Sequence, residues 1–457
     1  MNKSITQDAQ NDNQISKTIQ RFFTRFHVSS ALKSANAYKK KGFPVVEIFQ
    51  YLFLLVFSNR SMYMNLLTGK NTPAFAKDTV YRFMKMTQIN WIRFTTILSS
   101  RIIKEAIIPL DSKNRVNVLI IDDSMYERNR SKKVELLTKV YDHAKHAYKF
   151  GFRMLTLGWS DENTFLPVNS VLLSSENKKN RINEAAVMDK RTVGYMCRQL
   201  SVQKGTSVML KLLKQTKNVA IPAKYVLFDS WLSSPSSLYA VKEIGYDVIS
   251  MVKKTPKMFF RYNGEDMSLI SIYKKNKKRR DRSRYLLSVM VDVVKDGKAI
   301  QAKVVYVRNR NKRNEYLCII STDTELDEKE IIRIYGKRWD IEVFFKVCKS
   351  YLHLSKECRS VSYDVMTAHT AVVFTRYMML SLESRESNDE RSLGELFLYF
   401  SDEMSDLTWV QAFQLLLQMF RELLADNLDM ADDKISELVD TFMESIPALL
   451  KSKLQAA

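Results

Sequence analysis

At 457 residues, with 46% hydrophobic and 27% charged side chains, the chain has enough apolar mass for about two to four packed domains, which excludes a fibrous or disordered protein. Lys and Arg outnumber Asp and Glu by 72 to 50, and a net charge of +22 calls for a polyanionic partner. Four cysteines without Cys-x-x-Cys spacing (Cys197, Cys318, Cys348, Cys358) argue against a zinc ribbon or a disulfide framework and for a reducing cytosol.

Residues 1 to 15 read as a polar lead without the apolar core of a signal peptide. From Ile15 to about Leu110 the pattern is helical and basic. Its greasiest run, Val45 to Phe57, is broken by Glu47 and Gln50 and is too short to span a bilayer, so no membrane partner is expected and nucleic acid is. Lys77, Asp78 and Thr79 open a short helix that carries Tyr81, Arg82 and Lys85 outward, either as a recognition helix or as an ordinary surface helix of a bundle.

The texture changes after Pro109. Val116 to Ile121 reads as a buried strand ending in Asp122, Asp123 and Ser124, and Phe152 to Trp159 and Phe165 to Leu173 read as two more. Glu184 to Leu213 is expected to be helical. Tyr225 to Phe228 is a strand ending in Asp229, Ser230 and Trp231, followed by a helix over Ser236 to Ile244, for which Ser233 or Ser234 is better placed as cap than Asp229. With a strand over Asp247 to Val252, this describes an α/β domain with a mixed sheet. His143 and His146, spaced His-x-x-His, lack a supporting Cys or Glu and read as solvated loop histidines or phosphate neighbours.

From Lys253 to Asp323 the period becomes strand-like, as in an all-β insertion. It carries Lys274 to Arg284, in which eight of eleven residues are basic, and then Arg308 to Arg313; both suit phosphate contact. Ile331 to Leu352 reads as one amphipathic helix. Tyr335, Arg338, Glu342, Lys346 and Lys349 lie on one stripe, while Ile334, Ile341, Phe345, Cys348 and Leu352 form an apolar stripe beside it. Residues 360 to 457 are helical and acidic, with 17 acids against 7 Lys or Arg, and Leu415, Leu416, Met419, Leu423 and Leu424 are possible anchors for protein contact or internal packing. The expected domains are 1–110, helical and DNA-binding; 111–252 and 326–359, the two parts of a catalytic domain; 253–325, the β-rich insertion; and 360–457, helical.

Three acids stand out: Asp123 and Asp229 at strand ends and Glu342 on the helix. Together they offer hard oxygen ligands to Mg²⁺ or Mn²⁺, and two such ions can serve both the attacking and the leaving oxygen of phosphoryl transfer. Asp122 and Asp123 are adjacent, and because a strand alternates faces only one of them points readily at the metals.

The spacing Tyr-x2-Arg-x3-Glu-x6-Lys, through Tyr335, Arg338, Glu342 and Lys349, together with Asp123-Ser124 and Asp229-Ser230-Trp231, resembles the signature of the bacterial insertion-sequence DDE transposases of insertion-sequence family four. The resemblance implies an RNase H-like catalytic domain interrupted by a β-rich insertion between the second Asp and the Glu. It implies that Asp123, Asp229 and Glu342 bind two Mg²⁺ or Mn²⁺ ions, and that Tyr335, Arg338 and Lys349, with Trp339 and Lys346 nearby, contact DNA. It favours Asp123 over Asp122, because relatives carry Asp-Thr where this chain has Asp123-Ser124. It further implies a cytoplasmic, nucleoid-associated transposase that acts as a dimer on double-stranded DNA, cutting at terminal inverted repeats and joining the ends to target DNA. A DNA-binding relative without catalysis and a metal-dependent nuclease without strand transfer are the rival readings. Some relatives in that family place a Trp in the β insertion to stack on a flipped base; here no Trp lies between Trp231 and Trp339, so that contact would fall to Phe259, Phe260, Tyr262 or another ring.

Overall fold

A computed structural model describes residues 18–57, 62, 73–110, 115–142, 146–279, 283–309, 312, 315–357, 359–386 and 392–400, and the single positions 434 and 441. The polar lead, His143, parts of both basic runs and the five leucine and methionine anchors of the C-terminal region lie outside the described residues.

The amino-terminal part is helical. Residues 18–25 form a helix, followed by α1 (Val28–Ser34), α2 (Val45–Leu54), α3 (Lys77–Met84) and α4 (Trp91–Ile102). An aromatic cluster holds it together, with the Phe49 ring edge-on to Phe94 at 5.2 Å and Phe23 edge-on to Phe53 at 5.3 Å. Tyr81 and Arg82 face outward on α3.

Among the described residues eleven strands make one mixed sheet: β1 (Val118–Glu127), β2 (Thr138–Asp142), β3 (Ala147–Ser160), β4 (Phe165–Leu173), β5 (Tyr225–Phe228), β6 (Asp247–Val252), β7 (Phe259–Tyr262), β8 (Glu265–Ser268), β9 (Tyr285–Lys295), β10 (Lys298–Arg308) and β11 (Tyr316–Ser321). The path β4-β3-β1-β5-β6 is its heart. Its first three strands form an antiparallel meander, and β5 and β6 then run parallel to β1, which is the RNase H-like α/β arrangement. Val118 to Ile121 are fully buried because helices cover both faces there.

The helices around the sheet are α5 (Val193–Ser201), α6 (Gly205–Asn218), α7 (Pro235–Ile244), α8 (Leu269–Lys275), α9 (Glu328–Gly336), α10 (Trp339–Ser350), α11 (Tyr363–Glu386) and α12 (Leu393–Phe400). Four expectations are corrected in detail. Helix forms over Val193–Ser201 and Gly205–Asn218 rather than throughout 184–213, because Thr192 caps α5 and Gly205 opens α6 where a Cβ would lie 2.7 Å from the Trp231 ring. The insertion is not purely β: Ser268 caps the short helix α8, and β11 pairs with β6, so its strands extend the catalytic sheet instead of standing apart. The stretch from Ile331 to Leu352 is two helices. After Gly336, the amides of Lys337 and Arg338 bond three residues back, to Ile334 and Tyr335, so the chain tightens into a turn before α10 begins. Finally, β1 does not stop at the acids. It runs on through Asp122, Asp123 and Ser124 to Glu127, paired throughout with β3, while its parallel neighbour β5 ends at Phe228.

Candidate active site

The acids stand where β5 ends and β1 continues, so a notch opens beside them at the edge of the parallel pair. Register decides which acid faces what. On β1 the side chains of Asp122, Ser124 and Tyr126 share one face, and Asp123 and Met125 the other. Ile121 lies opposite Phe228 in the parallel ladder, so one more step sets Asp122 beside Asp229 on the same face.

Helix α10 lies against the Asp122 face and is tied to it along its length. Asp340 Oδ2 accepts from Ser160 Oγ at 2.6 Å, on the β3 residue paired with Val118. Lys349 Nζ donates to Ser124 Oγ at 2.6 Å at the other end. Between them the Arg338 guanidinium donates to Asp122 Oδ2 at 2.6 Å and to Glu342 Oε1 at 2.5 Å. The apolar stripe expected for this stretch is buried as read: Ile334, Ile341, Cys348 and Leu352 have no exposed surface and Phe345 almost none.

Asp123 is held elsewhere. It accepts both arms of Arg153, Nε at 2.7 Å and Nη2 at 2.6 Å, and that guanidinium lies 4.0 Å from the centre of the Trp231 ring. The pleat places Asp122 on the α10 side of β1, while Asp123, bonded to Arg153, lines the same cleft as Asp229. The sequence concealed this because a strand buried on both faces shows no alternation from which parity can be read. The Arg153 and Trp231 stack and the Lys349 to Ser124 bond were equally hidden, since each joins elements remote in sequence.

Burial acts first on Asp122, and although Arg338 opposes it, the neighbouring Asp123 and Asp229 charges add to it; the carboxyl is pushed up to about 7. Burial likewise pulls the Lys349 ammonium below its ordinary value, while burial, with the Asp229 and Asp122 charges, pushes the Tyr335 hydroxyl up despite Arg338. Tyr335 thus faces the same carboxylates. Ser234 caps α7 with a reciprocal bond to Ser237, which leaves Asp229 free of capping duty; its Oδ1 accepts from the amide of Ser230 at 2.6 Å. Trp339, 62% exposed, and Lys346 project into solvent from α10 and do not reach the carboxylates.

A cleft of about 830 Å³ opens over this edge, lined by Asp122, Asp123, Arg153, Asp229, Trp231 and Lys204 among others. Carboxylate oxygens clustered in a half-buried cleft are the donor set a hard divalent cation takes; burial is the first cause of the raised Asp122 carboxyl, and the Asp123 and Asp229 charges, which a cation would offset, add to it. Asp122 and Asp229 fit that role directly. Glu342 reaches Asp122 through the Arg338 guanidinium, which occupies the place of positive charge between them, and no group of three or more metal-ligating side chains converges among the described residues. No described helix is long and apolar enough to cross a membrane.

The family model of the DDE superfamily endonucleases matches residues 51–304, more than half of the chain and ending before α9 and α10. Among solved structures, the Drosophila P element transposase strand transfer complex is similar at 10% identity, with a TM-score of 0.23, over 90% of this chain and 93% of that one. No curated protein matches the chain.

Proposed function

Because the chain belongs to the DDE superfamily endonucleases, we propose that it is a DNA transposase of the insertion-sequence family four type, which cuts DNA at the ends of its element and joins those ends to a target. One observation carries the reading: the Tyr335, Arg338, Glu342 and Lys349 stripe lies across the strand that bears Asp122, beside Asp229, with Arg338 and Lys349 bonded to that strand. In this proposal the metal carboxylates are Asp122, Asp229 and Glu342.

Two Mg²⁺ or Mn²⁺ ions bound there would polarise the scissile phosphate and bring an attacking water toward its ionised form at neutral pH. The chain's own groups do the rest. Arg338 must exchange its carboxylate partners for DNA phosphate, which suits a guanidinium held by two charge-assisted bonds that a phosphate can replace. Lys349, desolvated beside Ser124, offers its ammonium to a phosphate next to the cleavage point. Tyr335 brings a hydroxyl to the same face. Trp339 and Lys346, exposed on α10, contact DNA further from the chemistry, and the outward face of α3 with Tyr81 and Arg82 belongs to an amino-terminal DNA-binding region. Two element ends must be joined in one event, so the working form is a homodimer on double-stranded DNA.

The test uses linear DNA carrying the inverted repeats that flank the gene. The transposase reading expects Mg²⁺-dependent cleavage at the repeat ends and joined products with a target plasmid. Cleavage without joined products would make the protein a nuclease, and binding without either would make it a DNA-binding relative that has lost catalysis.

A further inference from the structure

Beyond the carboxylate cleft, β1 ends in a run of cations, Arg128, Arg130, Lys132 and Lys133, that the reading above leaves without a role. Here a second cleft of about 730 Å³ opens between the loop after β1 and the loop after α10. Arg128, Arg130, Lys349, Lys356 and Arg359 line it, against a single acid, Glu127, which Lys149 neutralises at 2.5 Å. Arg130, Lys356 and Arg359 are exposed and have no ion pair among the described residues.

The walls are built rather than loose. Arg128 Nη1 donates to the Ser355 carbonyl at 2.7 Å and its Nη2 to the Tyr126 hydroxyl at 3.1 Å, which clips one loop to the other. The Glu135 amide bonds the Val361 carbonyl at 2.9 Å. His353 (φ 55°) and Ser355 (φ 65°) take the left-handed backbone that non-glycine residues adopt at a cost, and this shapes the turn that presents Lys356. Unpaired cations converging on a pinned concave surface repel one another and are a binding site for polyanion. Met125 lines both clefts, and Lys349 bonds Ser124 on the carboxylate strand while lining the basic one, so the two adjoin along β1.

We propose that this basic cleft is a second nucleic-acid seat, in which the DNA strand continuing from the cleavage point is held by its phosphates on Arg130, Lys356 and Arg359. The inference rests on the reading of the protein as a DNA-cutting enzyme, and its test separates the two. Equilibrium binding of the full chain to a duplex and to a single-stranded oligonucleotide of equal length is measured over a range of salt. Each phosphate contact contributes about 0.9 to the slope of log K against log salt on duplex and about 0.7 on single strands. The triple variant Arg130→Ala, Lys356→Ala, Arg359→Ala is expected to lower the slope by about two or more. A control that removes the same charge outside either cleft, Lys211→Ala, Lys214→Ala, Lys298→Ala, is expected to leave it unchanged, as is the charge-preserving Arg130→Lys, Arg359→Lys, which also guards against misfolding. A larger loss on the duplex would identify duplex as the occupant, and a larger loss on the oligonucleotide a single strand. Equal slopes for the triple variant and the parent protein, or an equal loss in the control, would overturn the basic seat while leaving the enzyme reading standing. A parent protein with no salt-dependent affinity for either DNA would overturn both.

Discussion

Arg338 shows how much one side chain can decide. It holds Asp122 and Glu342 at once, yet burial outweighs that one favourable charge and pushes the Asp122 carboxyl up to about 7. A carboxyl raised in the folded state binds its proton more tightly there than in the unfolded chain. Folding therefore takes up a proton between about 4 and 7, and stability falls as pH rises through that window. Replacing Asp122 by Asn removes the titration. Urea unfolding of Asp122→Asn should vary less across this window than the parent does, by on the order of 3 kcal/mol; parallel curves for the two would mean that Asp122 is not raised. At this scale the sequence was legible in kind and not in parity. The residue types of the proposed site, Asp, Asp, Glu and Arg, could be read directly, and Asp229 does follow strand β5 and Glu342 does lie on a helix. Whether Asp122 or Asp123 faces the helix is set by the pairing of β1 with β5, a contact across more than a hundred residues that no local pattern records.

At the scale of elements, the apolar stripe from Ile334 to Leu352 was legible because a 3.6-residue period survives a tightened turn. The break at Lys337 and Arg338 was not, since both residues keep right-handed helical angles and only their hydrogen bonds shorten. Likewise β6 and β11 read as strands, but their pairing, which carries the insertion into the main sheet, depends on tertiary contact. α11 was read only as helix, and its role as a pillar comes from Arg376. That guanidinium is wholly buried, donates to the carbonyls of Leu52 and Phe53 on α2, and pairs with Glu357 at 2.7 Å. Burial alone would push Glu357 up, and the Arg376 charge holds it below the ordinary glutamate value. Arg376→Ala strands that carboxylate and two carbonyls, so chemical denaturation should show a loss of about 3–5 kcal/mol. A loss under about 1 kcal/mol would mean that the pair does not tie α11 to the amino-terminal helices.

Across the whole molecule, charge is divided by task. The carboxylates are gathered at one notch in the sheet, and cations flank them on α10, on the loop after β1 and on the loop after α10. In the proposed reading the positive surround attracts the phosphate backbone and the local acids take the metal ions within it. Composition announced the polyanion, and the period of the strands announced the α/β sheet. The clefts were illegible because each is made by segments that meet only when the sheet closes. The central claim is that Asp122, not Asp123, completes the site with Asp229 and Glu342. The measurement that tests it is Mg²⁺-dependent cleavage of element-end DNA by Asp122→Asn and Asp123→Asn, purified side by side. The account predicts a loss of about a thousandfold or more for Asp122→Asn and less than about tenfold for Asp123→Asn, whose partner Arg153 keeps its stack on Trp231. Full activity in Asp122→Asn with loss in Asp123→Asn would contradict it.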